Sequence, residues 1–265
     1  MGSKDKLKRF AENETFACLL QPRTEEVLRC DHPIKGNWGR DMFHNDNPIV
    51  LELGCGRGEY TIALAGKFPE KNFIGVDIKG ARLWRGAKYA TEHNMPNVAF
   101  LRTRIEFIES LFAAGEVAEI WITFADPQEK KPRKRLTSPM FLSRYAKFLA
   151  EDGTIHLKTD SRLLHHYTLE VCRQNSLPVI TADDDIYGHG IARAADGILS
   201  IQTYYESSFL SKGIAITYMA FRLGGEANGR RLVEPEWDQT PYEQAYRTDT
   251  RTGARDTFQD LEINK

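Results

Sequence analysis

The sequence predicts an α/β fold: a doubly wound, mostly parallel seven-stranded sheet with an N-terminal extension and a C-terminal tail. Three observations predict it. Apolar runs of strand length recur along the chain. Stretches long enough for a helix separate the first six of them, which argues for parallel strands joined by crossovers. The first of these runs also leads straight into a glycine-rich turn, with a helical stretch behind it.

Taken in order, the first 30 residues are polar and basic apart from the patch Phe16-Ala17-Cys18-Leu19-Leu20. Residues 31–47 are rich in Gly, Pro, Asn, Asp and His and read as loop. The expected strands are Ile49–Leu53, Phe73–Val76, Val98–Leu101, Ile120–Phe124, Thr154–Leu157, Val179–Thr181 and Ala215–Phe221. The expected helices are Tyr60–Lys67, Ala81–His93, Ser138–Leu149 and Arg162–Asn175. From Glu226 the texture changes to few large aliphatics, with six Lys/Arg and nine Asp/Glu. The organisation read from this is an extension over 1–47, a domain over 48–225 and a tail over 226–265. The tail reads as an extended or partly disordered arm. The competing reading pins it to the domain surface through Trp237, Tyr242, Tyr246 and Phe258.

The chain has 265 residues, 41% hydrophobic and 28% charged, with a net charge of −1 and a mean hydropathy of −0.47. That is globular composition, too apolar for wholesale disorder. No apolar stretch approaches the ~20 residues of a membrane helix. No apolar run follows the basic start, so no export signal is read. The expected location is the cytoplasm. Cys18, Cys30, Cys55 and Cys172 form no C-x-x-C pair, so they are read as reduced thiols and no metal is expected. His165-His166 lack partners at metal-ligand spacing and are read as surface residues of a helix.

Glu52-Leu53-Gly54-Cys55-Gly56-Arg57-Gly58 carries the first chemistry. The glycines permit a tight turn and a close backbone approach by a ligand, and the following helix offers free N–H groups. The G-x-G-x-G spacing fits neither the dinucleotide fingerprint nor a Walker motif. Glu52 before the turn opposes a pyrophosphate and suits a cation. S-adenosylmethionine carries an ammonium and a sulfonium, so charge favours it over NAD. Asp77, at the end of the second strand, stands where a carboxylate reaches ribose hydroxyls. The competing reading makes the glycines a structural turn and Asp77 a capping acid.

The fourth strand ends in Phe124-Ala125-Asp126-Pro127-Gln128, and the ligand crevice of an open parallel sheet lies at such strand ends. Asp126 is therefore expected in the same crevice as the glycine turn and Asp77. Lys130-Lys131-Pro132-Arg133-Lys134-Arg135 follows at once, a basic run in a near-neutral chain, and points to phosphate-backbone recognition. Arg82, Arg85 and Lys88 either widen this positive surface or form a plain exposed helix face. Asp160 ends the fifth strand. It either accepts from the N1–H and N2–H₂ edge of a guanine or caps the next helix.

The first motif looks like motif I and the following acid of the class I S-adenosylmethionine-dependent methyltransferases. Taken with the other motifs, the chain resembles the bacterial tRNA (guanine-N7)-methyltransferases over roughly residues 8–223. The resemblance rests on Leu51–Gly58, Gly75–Gly80, Phe124–Pro127 with its basic run, Leu157-Lys158-Thr159-Asp160 and Thr203-Tyr204-Tyr205-Glu206. The last is similar to the family's Thr-x-aromatic-Glu box. The resemblance implies a Rossmann-like methyltransferase fold and methylation of the variable-loop guanosine at tRNA position 46. It implies S-adenosylmethionine contacts from Glu52, the backbone of Gly54 and Gly56, Asp77, the stretch at Arg104, and Asp126. Asp126 would lie beside the methyl group and target base as the catalytic residue. Substrate contacts would come from Lys130, Asp160, Thr203, Tyr204, Tyr205 and Glu206. RNA contacts would come from Lys131, Pro132, Arg133, Lys134, Arg135, Leu136 and Thr137.

Three departures stand out. Ala125 and Gln128 flank Asp-Pro where the family usually has Pro and Trp. Arg104 stands where an acid near the adenine is expected, with Glu106 or a backbone N–H as substitutes. The tail extends past the family's usual end. Two further readings follow: a class I methyltransferase acting on a small molecule or protein, and a non-catalytic S-adenosylmethionine- and RNA-binding module. Nothing in the sequence selects between a monomer and a homodimer.

Overall fold

A computed structural model describes residues 3–193, 197–224 and 230–242. It is a mixed α/β structure with strands in the order β1-β4-β3-β2-β5-β6-β8-β7. The described chain divides into two compact units, one of residues 3–121 with 147–150 and one of 122–146 with 151–242.

The first unit contains α1 (Ser3–Asn13), β1 (Leu19–Leu20), α2 (Thr24–Val27), β2 (Ile49–Leu53), α3 (Glu59–Lys67), β3 (Asn72–Asp77), α4 (Gly80–Glu92), β4 (Val98–Arg102) and most of β5 (Val117–Thr123). Parallel pairing joins β2 to β3, β3 to β4 and β1 to β4. Every residue of β2 and β3 is buried. Parallel strands covered on both faces need such near-continuous apolar runs. The seven expected strands gain an eighth, β1, from the patch around Leu19. It is only two residues long, too short for a periodicity signal.

The N-terminal stretch packs into this unit. Glu12 accepts from Trp84 Nε1 at 2.6 Å and from Lys88 Nζ at 2.8 Å, and the Arg9 guanidinium lies 4.3 Å from the Trp84 ring centre. Lys88 is thus committed to α1. In the stretch read as loop, Trp38 is fully buried, donates to Leu111 O at 2.8 Å and stacks on Phe112. The core of the unit closes around Phe100. A Cβ built on Gly58, Gly75 or Gly86 would run into its ring.

The second unit contains the end of β5, then α5 (Pro139–Tyr145), most of β6 (Leu149–Thr159), α6 (Arg162–Gln174), β7 (Val179–Asp183), α7 (Tyr204–Leu210) and β8 (Thr217–Arg222). β8 runs antiparallel to both β6 and β7. The helix expected to reach Leu149 stops at Tyr145, because β6 begins at Leu149. Lys158 is fully buried in β6. It pairs with the equally buried Glu206 at 2.7 Å and donates to Leu199 O and Ile201 O. Tyr187 donates its hydroxyl to the same Glu206 oxygen. Burial pushes the Lys158 ammonium below its ordinary range and the Glu206 carboxyl above its own.

The tail is held where it is described. Asn175 exchanges hydrogen bonds with the Val233 backbone, Tyr167 donates to Glu234 at 2.6 Å, and Tyr242 stacks on His166 at 4.0 Å. Pinning, rather than a free arm, describes residues 230–242; Tyr246 and Phe258 lie outside the described residues. His165 departs from expectation. It is 2% exposed, because α6 turns this position inward. Burial, then neighbouring His166, lowers its pKa to about 4.

Two outcomes follow. Glu206→Ala leaves a buried ammonium without its counter-charge and is expected to destabilise the fold by about 3–5 kcal/mol, read from the urea midpoint. His165 stays neutral in the folded chain down to about pH 4, whereas the unfolded chain protonates below about 6.5. The unfolded state then binds more protons across that window, so stability falls on acidification by about 2–3 kcal/mol. His165→Leu is expected to flatten this part of the pH profile. An unchanged slope would remove His165 as its source.

Candidate functional site

In the first unit the site is built at the exit of β2. Gly54, Gly56 and Gly58 all have positive φ, at 77°, 59° and 78°. A chain that reverses this way in left-handed steps is costly for residues with a Cβ. The three glycines nevertheless differ in role. Gly58 abuts Phe100, while a Cβ on Gly54 or Gly56 would meet nothing within 4 Å among the described residues. The open side of the turn is therefore at Gly54 and Gly56, where the sequence places a ligand.

Two carboxylates hold the turn. Asp77 Oδ2 accepts from Gly56 N at 3.0 Å, and Oδ1 accepts from Lys79 N at 2.7 Å. Val76 O takes both Gly54 N and Cys55 N. Glu52, 3% exposed, gives Oε2 to the backbone N–H and the hydroxyl of Thr61 in the first turn of α3. Thr61 was not singled out from sequence. Its signal was its position, nine residues after Glu52, on the helix facing the turn. Burial, then Glu52 and Asp77, push the Cys55 thiol well above its usual range, so this cysteine is a neutral filler of the turn.

The donor set suits S-adenosylmethionine. A carboxylate offers about four lone-pair sites. Asp77 uses two on the backbone, which leaves acceptor capacity for two ribose hydroxyls. The buried charge of Glu52 favours a cationic ligand. Arg104 is exposed and points its guanidinium at Glu106, 3.5 Å away, and at the Phe107 ring. Arg104 and Glu106 thus form an exposed ion pair beside the stretch where the acid was expected.

In the second unit, Phe124 N donates to Lys158 O at 2.9 Å, so Asp126 and Asp160 follow the ends of neighbouring strands. Phe124 and Gln128 have φ of 50° and 48°, left-handed values on either side of an exposed Asp126. Non-glycine residues adopt them at a cost, and such strain collects at functional sites. Asp126 Oδ1 accepts from Gln128 N at 2.9 Å. Asp160 does not cap α6; Ser161 does, accepting from Leu164 N at 3.2 Å. Burial pushes the Asp160 carboxyl up.

The basic run divides in two. Lys130, Lys131, Arg133 and Lys134 are exposed, and Pro132 and Leu136 are half-buried. Arg135 and Thr137 are fully buried, which corrects the expectation that they touch RNA. Arg135 donates Nε to Pro127 O at 2.9 Å and lies 4.3 Å from the Tyr167 ring centre. Burial lowers its pKa. It holds the Asp126–Pro127 loop from beneath. The Thr137 hydroxyl bonds to that of Thr168 at 2.7 Å. The aromatic box divides likewise. Thr203 caps α7 by accepting from Glu206 N, and Glu206 serves Lys158. Both are turned inward, whereas Tyr205 is 37% exposed and Tyr204 half-buried.

Asp183, Asp184 and His189 bring possible ligand atoms within 4.8 Å of one another. They are engaged as ion pairs, His189 with Asp183 at 2.9 Å and Arg162 with Asp184 at 3.5 Å. Among the described residues no helix is long and apolar enough to cross a membrane.

Comparison with known proteins adds the family. A family model described as "Putative methyltransferase" matches residues 46–219. A tRNA (guanine-N(7)-)-methyltransferase of Christiangramia forsetii is 52% identical over 84% of this chain and all of its own. One of Bacteroides thetaiotaomicron is 49% identical over 94% of this chain and 97% of its own. That second match leaves too little uncovered to omit residues 226–265, so this relative carries sequence that matches part of the tail, whereas the first is matched in full over 84% of this chain. Among solved structures, the 16S rRNA methyltransferase KamB superposes with a TM-score of 0.52 at 13% identity, covering 66% of this chain and 87% of its own. This likeness supports the Rossmann-like methyltransferase fold. The chain belongs to the bacterial tRNA (guanine-N7)-methyltransferase family.

Proposed function

We propose that this protein methylates N7 of a tRNA guanosine, the variable-loop guanosine at position 46, with S-adenosylmethionine as methyl donor. The observation that carries the reading is the 52% identity along the whole length of a tRNA (guanine-N(7)-)-methyltransferase. An open glycine turn clamped by Asp77 supports it. Absence of a membrane-spanning helix among the described residues and the scattered free cysteines fit the expected cytoplasmic location. The domain reading follows the same line: residues 48–225 carry the methyltransferase domain, which the 1–47 extension and the 226–265 tail flank.

When bound, S-adenosylmethionine supplies an electrophilic methyl group on a sulfonium. Asp77 would hold the ribose, the backbone of Gly54 and Gly56 would line the ligand, and Glu52 would supply negative charge. The guanine N7 carries an in-plane lone pair and no proton, so no general base is required. Methylation leaves a cationic ring. Asp126 orients the base and its charge stabilises that developing cation. Asp160 accepts from the N1–H and N2–H₂ edge, with Lys130 on the adjoining phosphate. Tyr205, the more exposed of the two, stacks on the extracted base, with Tyr204 edge-on beside it. Thr203 and Glu206 act on substrate by setting the start of α7. Lys131, Pro132, Arg133, Lys134 and Leu136 carry the RNA backbone contacts.

Incubation with labelled S-adenosylmethionine and unmodified tRNA transcripts is expected to yield 7-methylguanosine, lost when the guanosine at position 46 is replaced. Label in another nucleoside, or none, would overturn the reading. Asp126→Asn keeps the acceptor for Gln128 N and removes the charge. It is expected to lower kcat by about 10²–10³-fold, with S-adenosylmethionine affinity by calorimetry within about threefold of the parent. Full turnover in this variant would sink the electrostatic role.

A further inference from the structure

The basic run and the tail segment meet in the second unit. Together they bound a groove of about 670 Å³, lined by Lys131, Arg133, Lys134, Arg135, Tyr167 and Trp237 among others. Its size lies within the roughly 300–1,000 Å³ of ordinary ligand clefts. Three of the lining side chains are exposed cations. Beneath them lies the buried Arg135 guanidinium, whose Nη1 has no acceptor among the described residues. A guanidinium keeps its charge at any ordinary pH. The groove also holds one carboxylate, Glu234, which the Tyr167 hydroxyl engages at Oε2. The groove lining among the described residues thus carries four cations and one anion, with Glu236 and Asp238 beside Trp237 outside it.

The tail does more here than hold itself down. Leu232, 7% exposed, and the Asn175–Val233 hydrogen bonds anchor its start, and Tyr242 on His166 anchors its end. Between those anchors Trp237 keeps its indole half-exposed on the groove, backed by Tyr242 with ring centres 5.8 Å apart. A rigid aromatic beside several cations is the chemistry that holds a single-stranded nucleotide: the base on the ring, the phosphate on the cations.

We propose that residues 230–242 and the Lys131–Arg135 run form a nucleotide-binding groove for an unpaired nucleotide of the tRNA, separate from the target guanosine. In it, Trp237 stacks on the base while Lys131, Arg133 and Lys134 take the flanking phosphates. This deepens the methyltransferase reading and rests on tRNA being the substrate.

Direct binding of unmodified tRNA to the full chain tests it, with methylation measured separately. Trp237→Ala is expected to weaken tRNA binding about 5- to 150-fold, without changing the salt slope, because no phosphate contact is lost. Trp237→Phe restores most of the affinity. The Arg133→Ala/Lys134→Ala pair instead lowers the salt slope by about 2. In each variant S-adenosylmethionine affinity by calorimetry stays within about twofold of the parent, a readout of the fold that none of these side chains touches. A second measurement needs no variant: 4-thiouridine-substituted tRNA is expected to crosslink to a peptide within residues 230–242. Unchanged affinity of a folded Trp237→Ala protein, or crosslinks only to other segments, overturns the proposal. If 7-methylguanosine forms but the crosslinks lie elsewhere, the groove fails and the methyltransferase reading stands. If tRNA crosslinks at the tail and no 7-methylguanosine forms, the reverse holds.

Discussion

The Gly54–Gly58 turn leaves its strand with backbone N–H groups that no ladder can take, and buried donors without acceptors cost about 1–3 kcal/mol each. The chain meets this with acceptors from the next strand: Asp77 for Gly56, and the Val76 carbonyl for Gly54 and Cys55. Glu52 ties the start of α3 to the strand before the turn. Three consecutive features, strand, turn and helix, are thereby fixed by two acids. The shape of the candidate cofactor end depends on this clamp, and the same acids supply the charge that would suit a sulfonium ligand.

The second unit meets a different constraint, because it buries cations, Lys158 and Arg135, as well as an anion. Lys158 and Glu206 share one buried pair, and Arg135 sits under the Asp126 loop against an aromatic ring. Such groups are costly to bury and survive only with dense hydrogen bonding. Their hydrogen bonds run to backbone carbonyls of irregular segments, at Leu199, Ile201 and Pro127. Buried cations here do for loops what ladder hydrogen bonds do for strands. They give Asp126 and the start of α7 defined positions without regular structure around them.

Much of this was legible in the sequence. Near-continuous apolar runs located the central strands, since a strand buried on both faces has few polar positions to disguise it. Gly54, Gly56 and Asp77 were legible because positive φ and strand-end acids leave few residue choices. The inward half of the motifs was not. A row such as Lys130–Arg135 shows charge but not direction, and only the packing of Arg135 against Tyr167 turned one cation inside. Glu206 and Thr203 read as ligand contacts for the same reason: spacing gives a motif and does not say which face is covered. β1, with two residues, and the π-helical turn at Gly39–Phe43 were too short for any periodic signal.

Phe100 occupies space that Gly58, Gly75 and Gly86 each leave open, from a helix start, a strand and a second helix. That makes four positions, distant in sequence, parts of a single decision. The ring is not their one restraint: a Cβ on Gly86 would also meet the Arg57 carbonyl at 2.8 Å, one on Gly75 the Cys55 sulfur at 2.9 Å, and Gly58 has a φ of 78°, so a smaller residue at 100 would not by itself admit a side chain at any of them. The cofactor turn inherits that immobility through Gly58, whatever the chemistry at its open side demands.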